Sequence, residues 1–138
     1  MSRRTEPPSG WPPPESAVLA GVPVALGPLA EAIADRYFAA FPEDLERYGP
    51  DVARAWELHD TRHVLNWALA DAEGYDDLGE QIDWLAQVLD ARGFPLEHLA
   101  TNLELAGDVV AERVEGGGQV AQSLRAAAHR VRDSAPPR

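Results

Sequence analysis

The segment Pro50–Ala72 has the sequence PDVARAWELHDTRHVLNWALADA, and it decides how the fold is interpreted. Gly49 and Pro50 predict that helical structure is interrupted just before it, and Pro suits the first position of a new helix. At about 100 degrees per residue, the segment predicts one long helix with two apolar stripes, roughly 120 degrees apart. We therefore expect a central helix that packs on two sides.

The two stripes of this helix differ in character. The first is aliphatic and consists of Leu58, Leu65 and Leu69. The second mixes rings with hydrogen-bonding groups and consists of Val52, Trp56, His59, His63, Asn66, Trp67 and Ala70. Only an arc is left for solvent, near Arg54, Glu57, Asp60 and Asp71. Because such a mixture is typical of a cavity lining, we expect a ligand pocket or an interface, formed by Trp56, His59, His63, Asn66, Trp67 and, from the next helix, Trp84.

His59 and His63 lie one helical turn apart, a spacing that can hold a metal ion. The run from His59 to His63 resembles a zincin motif with Asp60 in place of Glu. Asp is one methylene too short for the general base, and the sequence supplies no third ligand, which speaks against a metallohydrolase. Two alternatives stay open: imidazoles that hydrogen-bond in or beside the core, and a haem, cobalamin-type tetrapyrrole or metal site at His63 with or without His59. Of these, we favour the first, and therefore expect that the protein binds neither a metal nor a cofactor.

The rest of the chain predicts further amphipathic helices, separated by Pro and Gly. Their expected ranges are 28–41, a short turn at 42–48, then 77–92, 95–114 and 119–132. No segment shows the alternation of an exposed strand. The predicted fold is an all-α bundle of four to six helices, of globin-like or four-helix type.

The predicted organisation follows from Pro and Gly content. Residues 1–25 form a Pro-rich disordered leader that contains Trp11 and ends in a short apolar lead-in at 17–25. Residues 26–115 form the helical bundle domain, 116–118 a flexible glycine joint, 119–132 a C-terminal helix and 133–138 a tail. The last helix can cover the bundle, swap onto a neighbouring subunit or remain loosely attached.

Composition excludes several kinds of chemistry. The 138 residues include no Cys, and all 12 basic residues are Arg. Disulfides, thiol nucleophiles and lysine Schiff bases are therefore excluded. The formal charge of -11 opposes binding to nucleic acid or to an anionic membrane surface. No apolar run approaches the roughly 20 residues that span a bilayer, and prolines occupy the place of a signal peptide, so we expect a cytoplasmic protein.

Helix 95–114 carries acidic residues opposite its apolar face. They are Glu97, Glu104, Asp108, Glu112 and Glu115. Such a row usually faces solvent. His98, near the start of that helix, and His129, near the end of the last one, are also expected at the surface.

Several short segments after the central helix form a distinctive pattern. They are Ile82-Asp83-Trp84-Leu85, Leu89, Arg92-Gly93-Phe94-Pro95, Glu97-His98-Leu99 and Leu103-Glu104-Leu105. Over about residues 50–115 the chain thus resembles a helical module of bacterial sensory regulators, similar to the helical domain that precedes cobalamin-binding domains and to the globin-like sensor domain of stressosome proteins. His63 corresponds to a His of that pattern, whereas Gln81 stands where the pattern usually has Tyr.

The resemblance implies a sensory or regulatory module that acts through dimerisation or a protein partner, without implying cobalamin binding by this chain alone. Together with the mixed stripe, it predicts a non-enzymatic helical domain, with a homodimer or protein partner and the option of a small-molecule ligand. No catalytic residue is predicted.

Overall fold

A computed structural model describes residue 8 and residues 12–134. In this part the chain forms one β-hairpin and six helices, which confirms the predicted helical bundle. The elements are β1 Ser16–Leu19, β2 Val22–Ala25, α1 Leu26–Ala40, α2 Glu43–Tyr48, α3 Pro50–Ala72, α4 Leu78–Ala91, α5 Leu96–Arg113 and α6 Gly118–Ser134. Trp11, most of the Pro-rich leader before residue 12 and most of the predicted tail lie outside the described residues.

The long helix α3 runs unbroken and occupies the centre of the bundle, as predicted. Leu65 and Leu69 are completely buried, and Val64 and Ala68 are buried with them. Helices α1, α2, α4 and α6 and strand β1 all pack on α3. The helix is therefore covered on more sides than the two that its stripes predict.

The C-terminal helix α6 packs on its own chain, most closely against α5. Gly107 of α5 allows this approach, because a Cβ there would lie 3.1 Å from the Ala121 carbonyl oxygen. Gly117 is buried, and a Cβ there would lie 2.9 Å from a Val110 methyl group. Of the predicted joint 116–118, Gly117 is thus closely packed, whereas Gly116 and Gly118 are exposed and Gly118 already begins α6.

Residues 16–25 form an antiparallel hairpin, although the sequence places them in a disordered leader. Its two-residue turn has positive φ at Ala20 (51°) and Gly21 (79°), the pattern of the tightest hairpin turns. Ala17 and Leu19 pack against the core. The exposed Val18 between them hides the alternation of inward and outward residues, which is why the strand was missed.

Candidate functional site

Four rings of the mixed stripe and Trp84 of α4 form a continuous row along the side of α3. Trp56 and His59 lie 5.5 Å apart between ring centroids, His59 and His63 4.8 Å, and His63 and Trp67 5.9 Å. Trp84 of α4 completes the row, with its ring 6.5 Å from Trp67 and its side chain 57% exposed. The structure therefore brings these predicted residues together at the surface of the bundle, where they are half-buried or exposed. Asn66, on the same helix, is half-buried.

The two histidines of the row have their own polar contacts. His59 Nδ1 lies 3.1 Å from Asp60 Oδ1. Burial lowers the pKa of His63, and the neighbouring His59 lowers it further. Among the residues that the structure describes, no three His, Asp or Glu side chains group in a way that would hold a metal ion. The haem and metal alternatives at His63 stay predictions.

A separate cavity of about 60 Å³ lies where α1, α2, α4 and α5 meet the N-terminal half of α3. Of the mixed stripe, only Trp56 lines it. Its wall consists of Tyr37, Phe38, Asp44, Tyr48, Ala53, Trp56, Glu57, Asp60, Val64, Leu85, Leu89, Phe94, His98, Leu99 and Asn102. Aromatic and aliphatic groups thus surround a few polar ones, the usual composition of a small-molecule site.

Asp44 of α2 is the most deeply buried acidic group of this cavity, with 2% of its surface exposed. Its Oδ2 accepts a hydrogen bond from the Tyr37 hydroxyl and lies 3.0 Å from His98 Nδ1. Because a carboxylate only accepts, Nδ1 of His98 carries the proton. The imidazole is also stacked on Phe41, with ring centroids 3.7 Å apart. The other carboxylate oxygen, Asp44 Oδ1, is buried and has no hydrogen-bond partner.

A second polar chain next to the cavity joins α3 to α5 and includes two lining residues, Glu57 and Asn102. Asn102 Nδ2 donates to Thr61 Oγ1 at 3.1 Å, and the Thr61 hydroxyl donates to Glu57 Oε2 at 3.1 Å. In this arrangement the Thr61 hydroxyl donates to Glu57 and its oxygen accepts from Asn102 Nδ2, so the amide nitrogen faces Thr61. Asn102 Oδ1 is left buried without a hydrogen-bond partner.

The titration behaviour of the cavity reflects its burial. Burial raises the pKa of the Glu57 carboxyl well above its usual range; the nearby carboxylates of Asp60 and Asp44 raise it further, and the hydrogen bond from Thr61 opposes the shift. Burial and the bond to Asp44 also raise the pKa of Tyr37 far above its usual range, so the phenol keeps its proton and remains a donor.

Three sequence-based expectations are wrong at this site. Glu57 and Asp60 were assigned to the solvent-facing arc of α3, but both line the cavity, because α2 packs against that arc. His98 was expected at the surface, whereas its side chain is only 14% exposed and lies against Asp44. His129 is exposed as predicted.

The acidic row of α5 is exposed or half-exposed, as expected, but four of its members are also ion-paired. Glu97 and Glu104 both bind Arg132, Asp108 binds Arg125, and Glu112 binds Arg36. These pairs join α5 to α6 and α1 at the surface of the bundle.

Sequence analysis did not identify Tyr37, Asp44 or Asn102 as site residues. Tyr37 lies in the apolar periodicity of α1, which does not point to a site, and Asp44 comes from a six-residue helix with no site motif. Asp44 and His98 are 54 positions apart, so no local spacing rule connects them. A polar residue at a core position, such as Asn102 between Leu99 and Leu103, was the one usable signal.

Comparison with known protein families, curated proteins and solved structures found no match to this chain. Over the described residues, none of the helices combines the length and apolar character that crossing a membrane requires.

Proposed function

We propose that this protein is a non-enzymatic sensory or regulatory helical domain that binds a small molecule in the cavity beside Asp44 and Asn102. The single observation that supports this most directly is the pair of buried acceptor atoms, Asp44 Oδ1 and Asn102 Oδ1, that have no partner. Each belongs to a residue of the cavity wall.

Unpartnered buried polar atoms are uncommon and destabilising. A buried acceptor without a donor costs about 1–3 kcal/mol of folding stability. Two such atoms on one cavity indicate a site that is completed by donors from outside the chain. A ligand that donates to both would recover this free energy on binding.

The position of the cavity also suits a sensory role. Its wall draws on five helices, including the short α2, whose buried contact with the bundle is made by Asp44. Helices this short have little stability of their own. A ligand bound at Asp44 would therefore fix α2 against α1, α3 and α5, and its loss would release that restraint.

A fragment screen followed by amide chemical shifts tests the proposal. We expect at least one fragment of up to about six non-hydrogen atoms to shift amide resonances around the cavity. Asn102→Leu, which removes one unpartnered acceptor, should abolish or weaken that binding. Asn66→Leu is the matched control, because Asn66 lies outside the cavity wall. A screen in which no fragment shifts cavity resonances would contradict the proposal.

We also propose that the row of rings forms an interface with another copy of this chain. Trp84 is 57% exposed and stands beside Trp67, an arrangement more typical of interfaces than of solvated surfaces. Sedimentation velocity should show a dimer that Trp84→Ala dissociates. Tyr75→Ala is the control, since Tyr75 is an 87% exposed aromatic residue outside the row. A monomer at all concentrations would end the homodimer proposal.

The alternative function, binding of haem, another tetrapyrrole or a metal through His63 with or without His59, has one favourable observation. The two imidazoles are neighbours in an edge-to-face arrangement on the side of α3, with 4.8 Å between their ring centroids. Haem addition would then produce a new absorption band that His63→Ala removes. An unchanged spectrum, together with no retained metal after purification, would contradict it.

A further inference from the structure

We infer that the ligand of the cavity is a small organic ammonium ion, one that presents several N–H donors on a short hydrocarbon body. This inference rests on the proposed function, because it names the chemical class of the molecule bound beside Asp44 and Asn102.

Charge is the first argument. The carboxyl groups of Asp44 and Asp60 line the cavity, together with that of Glu57, whose raised pKa favours its neutral form, and no Arg side chain belongs to the described wall. The whole chain adds to this field with a formal charge of -11. Such a site attracts cations and repels anions, particularly where solvent screening is weak.

The unpartnered atoms give the second argument, which is independent of charge. Asn102 Oδ1 is an amide oxygen, and Asn102 is 6% exposed. Its amide is held in this orientation by Thr61, so it presents an acceptor and not a donor toward a ligand. Asp44 Oδ1 is likewise an acceptor, and its partner oxygen is already occupied by Tyr37 and His98. The ligand must therefore supply at least two donors, which an ammonium group does with one nitrogen.

The remaining wall fits the hydrocarbon part of such an ion. Tyr37, Phe38, Tyr48, Trp56 and Phe94 supply rings, whose π-electrons attract cations. Aliphatic side chains of α3, α4 and α5 fill the rest. A volume of about 60 Å³ corresponds to roughly four water-sized groups. A propylammonium ion, with three carbons and one nitrogen, matches this size.

The experiment compares four probes by titration of amide chemical shifts at neutral pH. They are n-propylammonium, its neutral isostere 1-propanol, tetramethylammonium, which has charge but no N–H donor, and propanoate. We expect propylammonium to bind about tenfold or more tightly than 1-propanol, since hydrogen bonds to charged groups are the stronger class. Tetramethylammonium should bind more weakly than propylammonium, and propanoate should not bind.

Variants assign the binding to the proposed atoms. Asp44→Asn keeps the shape but removes the charge, and it should weaken propylammonium binding by about tenfold while changing 1-propanol binding little. Asp108→Asn is the matched control, because Asp108 is 48% exposed, lies on α5 and does not line the cavity. Should Asp44→Asn unfold, Asn102→Leu provides the same test through the other acceptor. Far-UV circular dichroism establishes which variants are folded.

The outcomes separate this inference from the proposed function. If 1-propanol or propanoate shifts cavity resonances as strongly as propylammonium does, the ammonium assignment is wrong and the cavity remains a ligand site. If tetramethylammonium equals propylammonium, the donor argument from Asp44 and Asn102 is wrong. If the wider fragment screen also finds no binder, the proposed function itself fails.

Discussion

Thr61 connects two residues of the cavity wall, Asn102 and Glu57, without lining the cavity itself, and its replacement by Val is the most direct test of this polar chain. The side chain is completely buried, and its hydroxyl accepts from Asn102 and donates to Glu57. Val has nearly the same shape but cannot do either. The substitution therefore leaves the buried Asn102 amide without its partner and removes a hydrogen bond from the half-buried Glu57, while changing the packing very little.

The expected size of the effect follows from those two groups. The buried Asn102 amide that loses its partner costs about 1.5 kcal/mol and the lost hydrogen bond to the half-buried Glu57 about 0.5 kcal/mol, so Thr61→Val should lower the free energy of unfolding by about 2 kcal/mol. Thr61→Ser keeps the hydroxyl and loses one methyl group, which costs about 1 kcal/mol. The serine variant is thus the matched control for the loss of the hydroxyl alone.

Urea unfolding, followed by circular dichroism and tryptophan fluorescence, measures these differences. The double variant Thr61→Val with Asn102→Leu should be less destabilised than the sum of the single variants by at least about 1 kcal/mol, because the second change removes the amide that the first leaves unpaired. The hydrogen bonds from Asn102 to Glu57 do not stabilise the fold if Thr61→Val lowers the free energy of unfolding no more than Thr61→Ser does. The same follows if the losses in Thr61→Val and Asn102→Leu simply add, and Thr61 then does not hold the Asn102 amide in its orientation.

Three further perturbations test other parts of the structure. Burial raises the pKa of Glu57 in the folded state, so the wild type should lose stability as the pH rises from the ordinary Glu pKa of 4.5 through the raised pKa. Over that pH range the urea midpoint should fall less in Glu57→Gln than in the wild type. Leu103→Ala, at a completely buried position, should lower the free energy of unfolding by about 3 kcal/mol, against a smaller loss for the half-buried Leu105→Ala. Arg132→Gln removes the ion pairs that join two carboxylates of α5 to α6, and it should lower the free energy of unfolding by about 1 kcal/mol at low salt and by less in 1 M NaCl. Equal losses at both salt concentrations would refute an ionic role.

The helices could be predicted because their signals are local. Pro50 after Gly49, the leucines of α3 and the glycine stops elsewhere each act over a few residues, and the predicted range of α3 agrees with the structure. The hairpin was missed for an equally local reason, since Val18 is apolar at an exposed position. A helix or strand could thus be predicted from the sequence pattern where one of its faces is consistently polar.

The candidate site could not be predicted because it depends on which elements meet. Periodicity separates apolar from polar faces but assigns every polar face to solvent by default. Glu57 and Asp60 lie on a polar face of α3, yet α2 covers them and turns that face into a cavity wall. The rings of the mixed stripe were identified correctly as one group, but periodicity could not show that the α3 rings are half-buried while Trp84 stays exposed.

The same dependence explains why the short helix α2 is central to the proposed function. A six-residue helix gains little from its own hydrogen bonds and needs tertiary contacts to keep its position. Here the buried residue of α2 is an acid, Asp44, so the helix is held by hydrogen bonds from Tyr37 and His98, with one carboxylate oxygen left over. An apolar residue at that position would need no hydrogen-bond donor. A half-satisfied carboxylate instead makes the stability of α2 depend on what occupies the cavity, and this dependence is what a ligand-responsive domain requires.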